Sequence, residues 1–193
     1  MKRIGLTGGI GVGKSLVANL FHELGGIPVL DADRLARELR LPGGEAEAPI
    51  LKRFGTLDRT VLRTLISSDP KSKKDLEAIL HPLIEKRSAG AMKELEVAHP
   101  GAPFLIYEAS LLIESGRLAD FDGLIVVTSP LPDRLSRIMA RDGTGKEAAL
   151  AMIDAQSSDT LRLKHANFLI ENLGSVEDLK PQVLKVLEQI KSA

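Results

Sequence analysis

The chain has 193 residues, with 26 lysines and arginines against 26 aspartates and glutamates, and no cysteine. That length suits one domain with a sizeable core. Zero formal net charge argues against a general nucleic-acid or membrane-surface role, and the missing cysteines exclude a disulfide framework, thiolate catalysis and a Cys-ligated metal.

Residues 2–7 read as a strand inside a sheet. Met1 leads straight into it with no signal peptide, and no apolar run is long enough to span a bilayer, so a soluble, cytoplasmic protein is expected, and zero net charge without a long apolar surface stripe leaves a monomer as the default. Next comes Gly8-Gly9-Ile10-Gly11-Val12-Gly13-Lys14-Ser15, which matches G-x-x-x-x-G-K-[ST], and then a helix at 15–24 stopped by Gly25-Gly26. Strand, loop and helix in that order are what this phosphate-binding pattern needs. The glycines let backbone N–H groups converge on phosphate oxygens, and the helix start adds free N–H groups and a positive dipole end. The Lys14 ammonium reaches β- and γ-phosphates, and the Ser15 hydroxyl is a ligand for Mg²⁺.

A short second strand at 27–30 ends at Asp31-Ala32-Asp33, and Leu35, Ala36 and Leu39 continue as a helix until Leu41-Pro42-Gly43-Gly44 breaks it. From 45 to 99 no strand pattern appears. Ile50, Leu51 and Phe54 fit one short helix, and Asp58 caps another carrying Val61, Leu62, Leu65 and Ile66. Beyond Asp69-Pro70, residues Leu76, Ile79, Leu80, Leu83 and Ile84 share a helical face, with Pro82 predicting a kink or restart near His81. Residues 45–99 therefore read as a helical lobe inserted after the second strand.

Strands follow at 104–107 and 124–128. Helices at 132–140 and 146–155 flank a break at 141–145, a fifth strand spans 167–170, and Ser175 opens the last helix. That helix buries Leu179, Val183, Val186, Leu187 and Ile190, and its Pro181 predicts a kink or a late start. The alternation predicts an α/β fold of three layers, a five-stranded parallel sheet with helices on both faces, the inserted lobe, and a lid at 141–157.

In such sheets ligands bind at the carboxyl ends of the strands. The residues expected there are the phosphate-binding loop, Asp31 and Asp33, Glu108, and Ser129. Asp31 and Asp33 share a side if the chain is still extended, whereas one of them caps the helix if it has begun. Phosphoryl transfer to an alcohol needs a carboxylate to accept the hydroxyl proton, and one Asp can do this while the other holds Mg²⁺ through water. The motif leaves open which does which. Glu108 closes the third strand, where an acidic residue suits Mg²⁺, and Glu114 follows it; a solvated or capping carboxylate is the plainer reading of each. Arg134, Arg137 and Arg141 share a helix face that runs into Gly143 and Gly145, the pattern of a closing lid whose guanidinium forks bind phosphate, with a solvated basic face as the alternative. His81 lies in the helical lobe without a second ligand at zinc spacing.

Taken together these stretches resemble the dephospho-CoA kinase family. The resemblance is carried by residues 4–15, Asp31-Ala32-Asp33, Leu57-Asp58-Arg59, His81-Pro82-Leu83-Ile84 and Leu111-Leu112-Ile113-Glu114-Ser115. It continues through Arg137-Ile138-Met139-Ala140-Arg141-Asp142, Ala155-Gln156 and Ile170-Glu171-Asn172. It implies transfer of the ATP γ-phosphate to the ribose 3′-hydroxyl of dephospho-CoA, the last step of coenzyme A synthesis. Lys14, Asp33 and Arg141 are then the catalytic residues, with Asp33 as general base. Gly9, Gly11, Val12, Gly13, Lys14, Ser15, Leu16, Arg137, Arg141 and Asn172 bind ATP. Asp31, Asp33, His81, Glu108 and Leu111 lie by the acceptor, the helical insertion is the CoA-binding lobe, and Mg²⁺ sits on Ser15 with Asp31 or Glu108 holding it through water.

The chain departs from the family in five places. Leu16 stands where Thr is usual, Glu108 where Asp is usual and Ser110 where Pro is usual. Met152 stands where the lid commonly has a basic residue, and the loop before Leu57 is short. Another P-loop nucleoside, nucleotide or small-molecule kinase, or a paralogue that binds nucleotide without chemistry, is the alternative. A GTPase switch is excluded by the missing Asn-Lys-x-Asp motif.

Overall fold

Alternation along the strands decides which side chains fill each face of the sheet. The structure is a computed structural model and describes residues 1–192. β1 (Lys2–Thr7) is central, between β3 (Phe104–Glu108) and β4 (Gly123–Thr128), and runs parallel to both. β5 (Phe168–Glu171) pairs parallel with β4, and β2 (Val29–Asp31) lies on the other edge, giving the order β2-β3-β1-β4-β5. Register places Ile4, Leu6, Ile106, Ile125, Val127 and Ile170 on one face, where every one is buried.

That face packs on α1 (Lys14–Gly25) and α9 (Val176–Ser192) through Val17, Ala18, Leu20 and Phe21 of the first and Leu179, Val183, Val186, Leu187 and Ile190 of the second. Burying each such aliphatic side chain contributes about 1.5–3 kcal/mol, so this pair of helices anchors the sheet. On the opposite face Gly5 leaves room for Leu112 and Leu124, and Tyr107 lies against Phe121 at 5.0 Å between ring centres. Pro181 sits within an unbroken α9. Lacking an N–H, it removes only the bond to the carbonyl of Glu177, and the apolar stripe holds the helix through it.

The chain divides into two compact units, residues 1–30 with 95 onwards, and Asp31–Glu94. The second unit is all helical after the end of β2: α2 (Ala32–Glu38), α3 (Glu47–Phe54), α4 (Arg59–Ser68) and most of α5 (Pro70–Ala98). Its core gathers Leu39, Ala46, Ile50, Leu62, Leu76 and Leu80. Because Leu39 packs there, the unit begins at α2 rather than after the Pro42-Gly43 break. Asp58 caps α4 by accepting from Thr60 N and Val61 N at 2.8 and 2.9 Å. Asp69 does the same for Lys71 and Ser72, with Pro70 opening α5. Pro82 lies inside α5, which continues unbroken through it.

Between β4 and β5 run α6 (Leu131–Asp142), α7 (Lys146–Asp154) and α8 (Asp159–Leu163), with Gly143 in the left-handed region at the end of α6. Among the described residues no helix is long and apolar enough to cross a membrane.

Candidate active site

Side chains from several elements hold the carbonyls of the loop between β1 and α1. Lys14 Nζ donates to Gly8 O at 3.0 Å, Arg134 Nε to Ile10 O at 3.0 Å, Arg137 Nη1 to Gly11 O at 2.9 Å, and Asn172 Nδ2 to Val12 O at 2.8 Å. Gln156 Oε1 accepts from Ile10 N at 2.7 Å. Gly11 and Gly13 have φ of 79° and 93°, which L side chains rarely adopt. A Cβ at Gly9 would also strike Arg134 Nη2, and one at Gly13 would strike Asn172 Nδ2.

Glycines at left-handed φ that lead straight into a helix start are the make-up of an anion-binding loop. α1 starts at Lys14 with Gly13 as N-cap and no side-chain cap, so its first-turn donors are left for a ligand. Lys14 itself is buried, its ammonium folded over the loop. Ser15 lies one residue into α1, and its hydroxyl donates to Glu108 Oε1 at 2.7 Å. Glu108 ends β3 and is only 5% exposed. These two oxygen-bearing groups fit a hard cation of the Mg²⁺ kind, which takes one or two protein oxygens and completes its shell with phosphate and water.

Arg137 also donates to Ser129 Oγ at 2.9 Å, and Ser129 Oγ donates to Asn172 O at 2.8 Å, which joins α6, the end of β4 and the end of β5 around the loop. Arg134 is 6% exposed and pairs with Asp159 at 3.0 Å. Burial pulls its guanidinium below the ordinary value and Arg162 adds to this, while Asp159 opposes. Arg141 is outside this group: it faces solvent, ion-paired with Asp142 at 2.7 Å, and that carboxylate raises its pKa. Leu16 is half-buried against the core formed by β1, α1 and α9, and Met152 packs with Leu135, Ile138 and Ala149.

In the helical unit, α2 begins at Ala32 and Asp31 is its N-cap, accepting from Arg34 N at 2.8 Å. Asp33 is in the first helical turn, half-buried. His81 is exposed on α5. Leu111 is exposed in the stretch after β3, while its neighbour Leu112 is buried.

Two charged residues that sequence reasoning did not single out, Asp159 and Arg162, complete a cluster beside Arg134. Asp159 accepts from both arginines, and Arg162 is 1% exposed. The only local signal is Ser158 as the N-cap of α8, which says nothing of the partners 25 residues back.

A family model described as dephospho-CoA kinase matches residues 2–178. The dephospho-CoA kinase of Cupriavidus pinatubonensis is 39% identical, with 95% of this chain and 91% of that one covered. A Thermus thermophilus crystal structure superposes with a TM-score of 0.80 at 38% identity, covering 97% of this chain and 96% of that one. The dephospho-CoA kinase of Campylobacter jejuni superposes with a TM-score of 0.68 at 30% identity, covering 98% and 97%. With its phosphate-binding loop, parallel sheet and near full-length likeness to these proteins, the chain belongs to the dephospho-CoA kinase family.

Proposed function

We propose that the chain transfers the γ-phosphate of ATP to the ribose 3′-hydroxyl of dephospho-CoA. The observation that carries this reading is the preorganised loop: four of its carbonyls are held by side chains, Lys14 among them, and the Ser15–Glu108 pair follows it. Fixed N–H donors and a lysine stabilise charge on the transferring phosphoryl group without reorganising during the reaction. Ser15, with Glu108 or Asp31 acting through water, would hold the Mg²⁺ that comes with ATP, which would supply charge neutralisation at the phosphates.

Asp33 takes the proton from the acceptor hydroxyl. Its support is the place of Asp33 in the first turn of α2, one residue beyond the helix start at Ala32. The helical stretch 45–99 binds the CoA portion of the acceptor, with His81 on its surface, and Leu111 lies by the acceptor as well. Residues 141–157 form the lid and bring Arg141 to the nucleotide. Arg137 and Asn172 serve the nucleotide by holding the loop that binds it. The protein works as a cytoplasmic monomer.

The test is a coupled assay for ADP release with Mg-ATP and, in separate wells, dephospho-CoA, AMP, CMP, adenosine or no acceptor. Turnover confined to dephospho-CoA and lost in Asp33→Asn is the expected result. Turnover with another acceptor would overturn the substrate, and ATP binding without any turnover would mark a chain that has lost its chemistry.

A further inference from the structure

Four charged side chains form a row beside the loop. Arg134 Nη1 meets Asp159 Oδ2 at 3.0 Å, Asp159 Oδ1 meets Arg162 Nη1 at 3.0 Å, and Arg162 Nη2 meets Glu114 Oε1 at 3.5 Å. Their charges cancel, and the two arginine side chains are 8% and 1% exposed. Arg162 Nε and Nη2 have no hydrogen-bond partner among the described residues. A buried ionic row of this kind is an expensive way to hold a fold, since apolar side chains of like volume do as well or better. Its ends show what it holds. At one end Arg134 Nε grips Ile10 O, and at the other Glu114 Oε1 accepts from Ser157 N at 3.1 Å.

Between those ends lies the segment that follows α7. Gln156, its second residue, takes Ile10 N, so both polar groups of Ile10 are gripped from outside the loop, one by Gln156 and one by Arg134. Ile10 lies between Gly9 and Gly11, neither of which resists rotation. A half-open depression lined by Arg134, Ile153, Asp154, Gln156 and Asp159 adjoins the row, and the Ile10 side chain packs beside it with Leu135 and Ile138.

We propose that Arg134 and Asp159 are positioning residues for ATP: through Ile10 and Gln156 they set the orientation of the loop tip, and with it the nucleotide affinity. The proposal rests on the reading of the loop as the ATP site. It accounts for the burial of Arg134, which Arg141 on the same helix does not share, and for the second grip on Ile10.

The experiment measures ATP binding by calorimetry without acceptor, steady-state KM for both substrates, and thermal unfolding, in Asp159→Asn, Arg134→Met and Lys14→Ala. Asp159→Asn keeps shape and loses charge. The expected result is a rise of about tenfold in Kd and KM for ATP in Asp159→Asn and Arg134→Met, the loss of one charge-assisted contact, with KM for dephospho-CoA unchanged. Combining Asp159→Asn with Gln156→Ala should cost less than the sum of the two, because both act on Ile10. Lowered thermal stability with unchanged ATP affinity, or failure of Asp159→Asn to fold, would make the row structural and overturn the proposal. Unchanged ATP affinity in Lys14→Ala as well would overturn the loop as the ATP site and this proposal with it.

Discussion

Ser15 Oγ donates to Glu108 Oε1 at 2.7 Å, which ties the first turn of α1 to the end of β3. The pair brings a hydroxyl and a buried carboxylate together beside the loop. Glu108→Gln keeps the size and removes the charge. It should raise the Mg²⁺ concentration needed for half-maximal turnover while leaving binding of metal-free ATP close to that of the parent. A magnesium titration of the rate decides it; an unchanged midpoint would remove Glu108 from the metal's surroundings.

Lys14→Ala should lower kcat/KM by about 10²–10³-fold, the usual effect of removing one fixed donor from a charged transition state. The same change removes the ammonium from Gly8 O, so stability must be measured beside it. Near-normal turnover in a folded variant would sink the assignment.

Asp31 and Asp33 should separate cleanly. Asp33→Asn should lower kcat by about 10²–10⁴-fold with little change in ATP binding, as expected for loss of a general base. Asp31→Asn should be mild, because Asn caps a helix as well as Asp, and Asp31→Ala should cost about 1 kcal/mol of stability through the lost bond to Arg34 N. Comparing kcat and urea midpoints of the three variants checks both assignments, and an equal kcat loss in Asp31→Asn would exchange them.

Asn172→Ala leaves the carbonyl of Val12, a residue with no exposed surface, without its donor. A buried acceptor left unpaired costs about 1–3 kcal/mol, and here that cost should appear in both thermal stability and ATP affinity. Loss of stability alone would mean the loop keeps its shape without Asn172.

Glu114 gives a pH dependence. Burial pushes its carboxyl up, but hydrogen bonds from Ser157 and the Arg162 charge more than offset this and hold it below its ordinary 4.5. A carboxyl lowered on folding contributes stability above its unfolded value and loses it as pH falls through its folded value. The gap in urea midpoint between the parent and Glu114→Gln should therefore be constant at neutral pH and shrink on acidification below 4.5. A gap that widens there would contradict the assignment.

The loop and sheet were legible because their signals are local. A glycine pattern after an apolar strand needs no distant partner, and strand residues buried on one face alternate along the chain. Which of Asp31 and Asp33 caps the helix turned on where α2 begins, and it begins at Ala32, which makes Asp31 the cap. What the sequence concealed lies in long-range pairing. Arg134, Arg137 and Arg141 look equivalent by spacing, yet Arg134 is sunk against Ile10, Arg137 reaches Gly11 and Arg141 turns to Asp142. Nothing within ten residues of Asn172 marks it as the partner of Val12, 160 positions away.

Carbonyls of the loop are gripped by residues as late as 134, 137 and 172, and its Ile10 N–H by Gln156. A motif within the first fifteen residues is therefore finished by the last third of the chain. During synthesis the N-terminal strand and helix leave the ribosome long before those residues exist, so the nascent chain carries the glycine pattern without a working nest. Nucleotide can assist only the closing stage of folding, after β5 has joined the sheet.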